Sequence, residues 1–402
     1  MKTIALITLF TPTKENYRGS TALLYYMLRD RASDIQVKVY SLDLTDVPED
    51  MWKSSEKELN CEIINVKKKS FFTKLNYYRR RLLALIHNLP SWSFLKISEK
   101  YVTEIKALNP DLIWIFPYQI SGVSLQFKDM PQVITCSDST ALHYYRKLRD
   151  INYARDKQTY KSFQRFLNLE SLYSNRNLML HMVGVEDAKF LQQSLSLDKE
   201  RIFFIEHPHY SYIKKTSYFT TDKLKVLIAG QYNEYVKTDF DKLQMLLLQN
   251  KDLTSEITLT FLGKDWENFS NQLQQFGYES NTITWVEEYF AELVNYDIQL
   301  FPISLGTGTK GKVLDALCCG LICIGSEYAF ENIGIQTMES CLQYDDIEDI
   351  AGFMKDIKNR KDFYVQLAQN GHTFALEKHS PKLISSLFFQ KIFDDSSFSS
   401  QM

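Results

Sequence analysis

Short apolar runs separated by polar segments of helical length recur along the whole chain. In the first half they are Thr3–Phe10, Ile35–Leu42, Cys61–Val66, Leu112–Phe116, Val133–Cys136, Leu178–Val183 and Ile202–Ile205. Leu224–Ala229, Ile257–Gly263, Thr282–Val286, Ile298–Ile303 and Leu321–Ile324 continue the series. Runs of this length bounded by turn residues read as strands buried on both faces, as in a parallel sheet. Between them lie helical patterns. Leu23, Leu24, Met27 and Leu28 form one apolar face after Ser20, a suitable N-cap. Further helices are predicted at Lys96–Leu108, Tyr160–Tyr173, Lys312–Cys319, Ile350–Ile357 and Leu376–Phe393. Strand alternating with helix predicts an α/β fold. The polar stretch Tyr210–Asp222 has no clear period and divides the alternation in two. The predicted domains are 1–212 and 222–375, followed by a terminal segment, 376–402, and 402 residues suit two such domains.

Candidate chemistry concentrates between Asp297 and Glu331. A strand closed by Pro302 runs into a loop of small residues, Gly306, Thr307, Gly308 and Thr309, then into a helix ended by Gly320. The loop lies where a strand of an open α/β sheet meets its ligands. Backbone N–H groups at a helix start attract phosphate, and Lys310 and Lys312 add charge. Asp315, one turn into the helix, is placed to accept hydrogen bonds from two neighbouring ribose hydroxyls. Loop, base and acid together suggest a nucleotide carrying a diphosphate. An ordinary Gly/Thr connection with a solvated Asp is the alternative that these residues alone leave open.

The run P-x-x-x-G-T-G-x-x-x-K-V-L-D-A-L-x-x-G-x-x-x-I-G-S resembles the sugar-nucleotide signature of GT-B glycosyltransferases, closest to retaining family 4. The resemblance implies two Rossmann-like domains facing across a cleft, with the C-terminal helix crossing back to the first domain. It assigns Lys312 to the diphosphate and Asp315 to the ribose. It also assigns Gly230, after the first strand of the second domain, and Lys237 to the diphosphate, Glu287 to the neighbourhood of the base, and Gly19 to the phosphates from the first domain. Asp138, at the end of strand Val133–Cys136, matches the residue that faces the donor sugar. Asp138 also fits a plain helix N-cap. Two positions depart from the family pattern. Thr307 stands where a sugar-binding glutamate is frequent, and Gln231 where an arginine grips the diphosphate.

The implied activity is transfer of a hexose from a UDP- or GDP-linked sugar to a hydroxyl of a glycan, lipid-linked oligosaccharide or glycolipid, in polysaccharide biosynthesis, with retention and without metal or other cofactor. A non-catalytic glycosyltransferase-like subunit and a UDP-sugar epimerase of the same fold are the alternatives. Composition narrows this in three ways. A net charge of −2 argues against a nucleic-acid binder. The six cysteines show no C-x-x-C pairing and read as buried free thiols in a reducing cytosol, so no metal site is expected. Met1–Phe10 carries no cleavage pattern and no window approaches a membrane span, which predicts a cytoplasmic protein. One segment modifies that picture. Between Ile63 and Ser98 every charged residue is basic, and apolar residues at 71, 75, 78, 82, 85, 86 and 89 recur at helical spacing. Residues 67–89 are read as a basic amphipathic stretch able to lie on an anionic membrane, the inner face of the plasma membrane, or else as a solvated face over an ordinary core helix.

Overall fold

The backbone alternates strand and helix throughout, as the apolar runs require. A computed structural model describes residues 1–16, 20–66, 74–150, 153–171, 178–194 and 199–394. These residues fall into two compact units. The first is Met1–Pro208 with Pro381–Met402, and the second is His209–Ser380.

Seven strands build the first unit: β1 (Lys2–Thr8), β2 (Ile35–Ser41), β3 (Glu62–Asn65), β4 (Leu112–Phe116), β5 (Gln132–Cys136), β6 (Leu178–Met182) and β7 (Ile202–Phe204). Their order is β3-β2-β1-β4-β5-β6-β7, and every pair is parallel. Ile4 to Ile7 and Ile113 to Phe116 are fully buried on both faces, which is why their sequences run apolar without alternation. The last helix, Pro381–Asp394, belongs to this unit. Phe388 packs 4.7 Å from the Trp114 ring, and Ser385 Oγ donates to the Met27 carbonyl at 2.8 Å.

The second unit contains β8 (Leu224–Ala229), β9 (Ile257–Leu262), β10 (Glu279–Ile283), β11 (Ile298–Phe301), β12 (Ile322–Gly325) and β13 (Leu342–Gln343), in the order β10-β9-β8-β11-β12-β13. All of its pairs are parallel too. In both units the chain steps outward from a central strand, then returns to that strand's other side. This is the doubly wound Rossmann arrangement, with topological switch points between β1 and β4 and between β8 and β11. Loops at the carboxyl ends of those strands diverge there and leave room for a ligand.

Several predicted elements shift. The first helix is Ala22–Arg29 with Thr21, not Ser20, at its N-cap position, because the Ala22 N–H is taken by the Asn16 side chain at 3.1 Å. The edge strand is Glu279–Ile283 rather than Thr282–Val286, since pairing with β9 selects Glu279 opposite Thr258 through Ile283 opposite Leu262. Leu376 lies inside the helix Lys361–Lys378 of the second unit. A new helix begins at Pro381, whose fixed φ and missing N–H suit a first helical position and cannot continue the preceding helix. All six cysteines are buried and unpaired.

Candidate functional site

The loop after β11 is held by the loop after β8. Ser304 and Leu305 N–H groups both donate to the Tyr235 carbonyl, at 2.9 and 3.2 Å. Gly306 and Gly308 take φ of +144° and +67°, values that side-chain-bearing residues rarely adopt. A Cβ on Gly306 would also lie 3.2 Å from Lys310 Cε. Lys310 folds back over its own loop, donating to the Thr307 and Gly308 carbonyls at 3.0 and 2.9 Å, with Glu331 4.0 Å away. Asn332 donates to the same Gly308 carbonyl at 3.0 Å. Lys310 thus braces the turn that it was expected to charge. Thr309 completes this loop, leading directly into Lys310 at the N-cap.

The helix after the loop is Gly311–Cys319, and no side chain caps its start. Gly320 ends it in the left-handed conformation, φ +79°. Lys312, on the first turn, is exposed and forms no ion pair among the described residues. Its Cε would be 3.8 Å from a Cβ at Gly230, so its stem runs across the end of β8. Asp315 is half-buried and has no hydrogen-bond partner among the described residues. Lost solvation pushes its carboxyl up to about 7, with the Lys312 charge pulling the other way. The Tyr289 hydroxyl lies beside the fully buried Gln299 amide. The Tyr289 phenol is driven upward by burial first and by the Asp315 charge second, which places the two groups in one neighbourhood.

The ends of β8 and β9 are pressed together. Gly230 has φ +132°, and its carbonyl accepts from Trp266 Nε1 at 2.6 Å. A Cβ on Gly263, φ +141°, would fall 2.1 Å from that carbonyl oxygen, so only glycine fits there. Gln231 donates to Asp265 at 2.7 Å. Lys237 opens the helix Lys237–Gln249, and its ammonium donates to Asp241 at 2.9 Å and to the Tyr232 hydroxyl at 3.2 Å. Those two bonds, the Asp241 one foremost, hold its pKa above the usual lysine range. Glu287 is exposed on the loop between β10 and the helix Tyr289–Leu293, two positions after Trp285, which is 75% exposed.

In the first unit, Asp138 is half-buried just beyond β5. The helix Thr140–Arg149 is capped by Ser139, whose Oγ accepts from Leu142 N at 3.1 Å, so the capping role does not fall to Asp138. Two acids that sequence reasoning did not single out lie against this turn. Glu170 accepts from Ser139 Oγ at 3.0 and 3.2 Å and from Ala141 N at 3.0 Å; Asp187 accepts from Ser139 N at 2.7 Å. Glu170 had a signal, because it follows Phe163, Phe166 and Leu167 at helical spacing and so falls on the apolar face. Gly19 and residues 67–73 lie outside the described residues. Among the described residues no cluster of His, Cys, Asp and Glu is arranged to hold a metal, and no helix is long and apolar enough to cross a membrane.

No family model and no curated protein matches the chain. Solved structures do. The Anabaena protein HepE in complex with UDP and glucose superimposes with a TM-score of 0.64 at 11% identity, covering 97% of this chain and 99% of that one. Sucrose-phosphate synthase from Thermosynechococcus elongatus gives 0.66 at 13% identity, covering 97% and 98%. The lipopolysaccharide outer core galactosyltransferase WaaB gives 0.60 at 13% identity, covering 98% and 99%. Such low identity carries fold, and the fold is the two-unit Rossmann-like architecture of GT-B glycosyltransferases.

Proposed function

We propose that the chain is a glycosyltransferase that moves a hexose from a nucleoside-diphosphate sugar to a hydroxyl of a glycan, lipid-linked oligosaccharide or glycolipid. The observation that carries this reading is the helix Gly311–Cys319 at the β8/β11 switch point. It presents an exposed, unpaired Lys312 and an unpaired Asp315 one turn apart, behind a loop whose glycines need positive φ. UDP and UDP-glucose complexes of HepE support a nucleotide sugar as the donor.

In this reading the acceptor hydroxyl oxygen forms a bond to the anomeric carbon while the bond from that carbon to the diphosphate oxygen breaks. The hydroxyl proton passes to the leaving phosphate, on the face from which it departs, so the configuration is retained. Lys312 and the start of its helix neutralise the charge that develops on the diphosphate, without a metal. Asp315 takes the ribose hydroxyls, and Asp138 orients the transferred sugar. Gly230, Gly306, Thr307, Gly308 and Thr309 supply close backbone approach, with Gly19 and Glu287 as further contacts.

A second reading has an observation in its favour. Gln231, Lys237 and Lys310 all hold protein partners, which suits a nucleotide-binding subunit without turnover. Measuring UDP or GDP release from a panel of UDP- and GDP-sugars with lipid-linked and soluble acceptors separates the two. Turnover on one donor is the expected result. Tight UDP or GDP binding with no release on any pair would favour the non-catalytic subunit.

Docking on an anionic membrane is part of the proposal. On the helix Lys74–His87, Tyr78, Leu82, Leu85 and Ile86 are 66, 59, 68 and 65% exposed. Arg79 and Arg81 are exposed beside them. An ordinary core helix would turn that apolar stripe inward. Here it faces out among cations, the pattern of a helix that lies in a lipid interface.

A further inference from the structure

The turn that carries Asp138 is tied down by three separate elements. Asp187, on the helix Val185–Ser194, is fully buried and takes the Ser139 N–H at 2.7 Å. Glu170, on the helix Lys157–Ser171, is 2% exposed and takes both the Ser139 hydroxyl and the Ala141 N–H. Tyr118, beyond β4, hydrogen-bonds to the Thr140 hydroxyl. Two carboxyls in a protein interior are costly to keep there, and plain helix capping needs neither, since Ser139 is itself the cap. The three acids also stand close to one another. Burial is the main force pushing the Glu170 carboxyl up to about 8, and Asp187 and Asp138 add to it.

We infer that Glu170 and Asp187 are positioning residues that clamp the Ser139–Ala141 turn from two sides, so that Asp138 is held in one orientation for the transferred sugar. The inference rests on the glycosyltransferase reading and on the role given there to Asp138. Asp187 fixes the backbone immediately after Asp138. Glu170 fixes it two residues later and holds the cap hydroxyl. Removing either leaves the Asp138 carboxylate chemically intact on a backbone held less firmly.

The test uses the full-length protein with Glu170→Ala, Glu170→Gln, Asp187→Ala and Asp138→Ala, alone and with each clamp variant combined with Asp138→Ala. Three measurements are needed: UDP or GDP release from the active donor, UDP or GDP affinity by calorimetry, and amide exchange at Ser139 and Ala141. Each clamp Ala variant should lower kcat more than tenfold while donor KM and nucleotide affinity stay within twofold. Exchange at the amide it held should quicken. Glu170→Gln, which keeps an acceptor for Ala141 N, should recover most of the lost kcat. Adding either clamp substitution to Asp138→Ala should cost nothing further.

Equal losses with and without Asp138 would mean general weakening of the unit and would overturn the inference. An inactive Asp138→Ala beside fully active clamp variants would overturn it while leaving the glycosyltransferase reading intact. A fully active Asp138→Ala would remove the residue being positioned and the inference with it. If no donor is turned over even by the unmodified protein, the functional reading falls. Amide exchange then decides the clamp, and unchanged exchange rejects it. Should Glu170→Ala fail to fold, Asp187→Ala, with Asp187→Asn as its conservative partner, carries the same comparison from the other side of the turn.

Discussion

If Asp315 takes the ribose as proposed, nucleotide binding should titrate with it. Its carboxyl sits in a place that strips solvent from the charged form, and burial raises it to about 7. Two ribose hydroxyls donating to it would stabilise the carboxylate, so the bound state prefers the ion and the free state holds the proton below neutrality. Binding of UDP or GDP should then release a proton. At about pH 6 a carboxyl with that pKa is ionised in about one molecule in eleven, so affinity should be weaker than at about pH 8 by about tenfold, or about 1.4 kcal/mol. The nucleotide's own phosphate also titrates near pH 6. Asp315→Asn provides the control, since it keeps the shape and loses only the protein's share. Calorimetry in buffers of different ionisation heat counts the protons. Wild type should release close to one more than Asp315→Asn at about pH 6 and the same number at about pH 8. Identical proton counts for the two proteins at both pH values would refute the ribose assignment, and Asp315 would be a solvent-stripped residue of the helix alone.

Lys312→Ala should fold normally and lose turnover by an amount worth about 2.7–4 kcal/mol, the usual cost of removing one donor from a developing anion; a loss under about tenfold would take Lys312 out of the site. Gly263→Ala should destabilise the second unit in urea by at least the ~1–3 kcal/mol of backbone strain, because its methyl would lie 2.1 Å from the Gly230 oxygen at φ +141°; an unchanged midpoint would show that the β8 and β9 ends separate freely. His181 is fully buried with Nδ1 3.1 Å from Thr135 Oγ1, and burial pushes its pKa down to about 3. The fold holds the neutral ring, so stability from this group is complete above the unfolded pKa of about 6.5 and is lost as pH falls toward the folded value, by up to about 1.4 kcal/mol per unit; a His181→Phe variant with the same acid slope would contradict this. Reversing Arg79 and Arg81 to Glu should release the protein from phosphatidylserine vesicles, as should about 1 M salt, where the Debye length is about 3 Å; wild type that ignores such vesicles at low salt would end the membrane proposal.

Most of the second unit's switch point can be read from residue types, because its features are backbone requirements. A strand that stops at Pro302, glycines at 306 and 308, and a glycine at 320 each answer to a φ value or a missing N–H, and the structure places them so. The β10 register cannot be read this way. Thr282–Val286 is the more apolar window, yet hydrogen bonding to β9 selects Glu279–Ile283 and leaves Trp285 exposed. Side-chain partners are still less legible. Nothing in the sequence says that Lys310 will turn onto the carbonyls of its own loop, or that Gly263 is required by a carbonyl 33 positions earlier in the chain. Glu170 illustrates both cases. Its place on an apolar helix face is visible, but its grip on Ser139 and Ala141 comes from 31 and 29 residues away.

The partners a cation already holds also decide whether it can meet a phosphate. Lys237 and Asp241 form an exposed pair, and such pairs are worth only about 0–1 kcal/mol, so a diphosphate can exchange for Asp241 at little cost. Lys310 is different. Its side chain is 14% exposed and donates to two loop carbonyls, and withdrawing it would forfeit two charged-donor bonds of about 1.5–3 kcal/mol each, although Asn332 would still hold the Gly308 carbonyl. Its ammonium is already engaged in shaping the loop. Gln231 brings no charge and is already bonded to Asp265. Lys312 alone among these residues is both cationic and without an ion pair, and it stands on the first turn of the helix whose dipole points at the same place. In the proposed function, the charge an arginine at position 231 would have met is left to Lys312. Loss of Lys312 should therefore weaken nucleotide binding more than loss of Lys237 or Lys310 does, and the opposite ranking in calorimetry would place the diphosphate elsewhere on the unit.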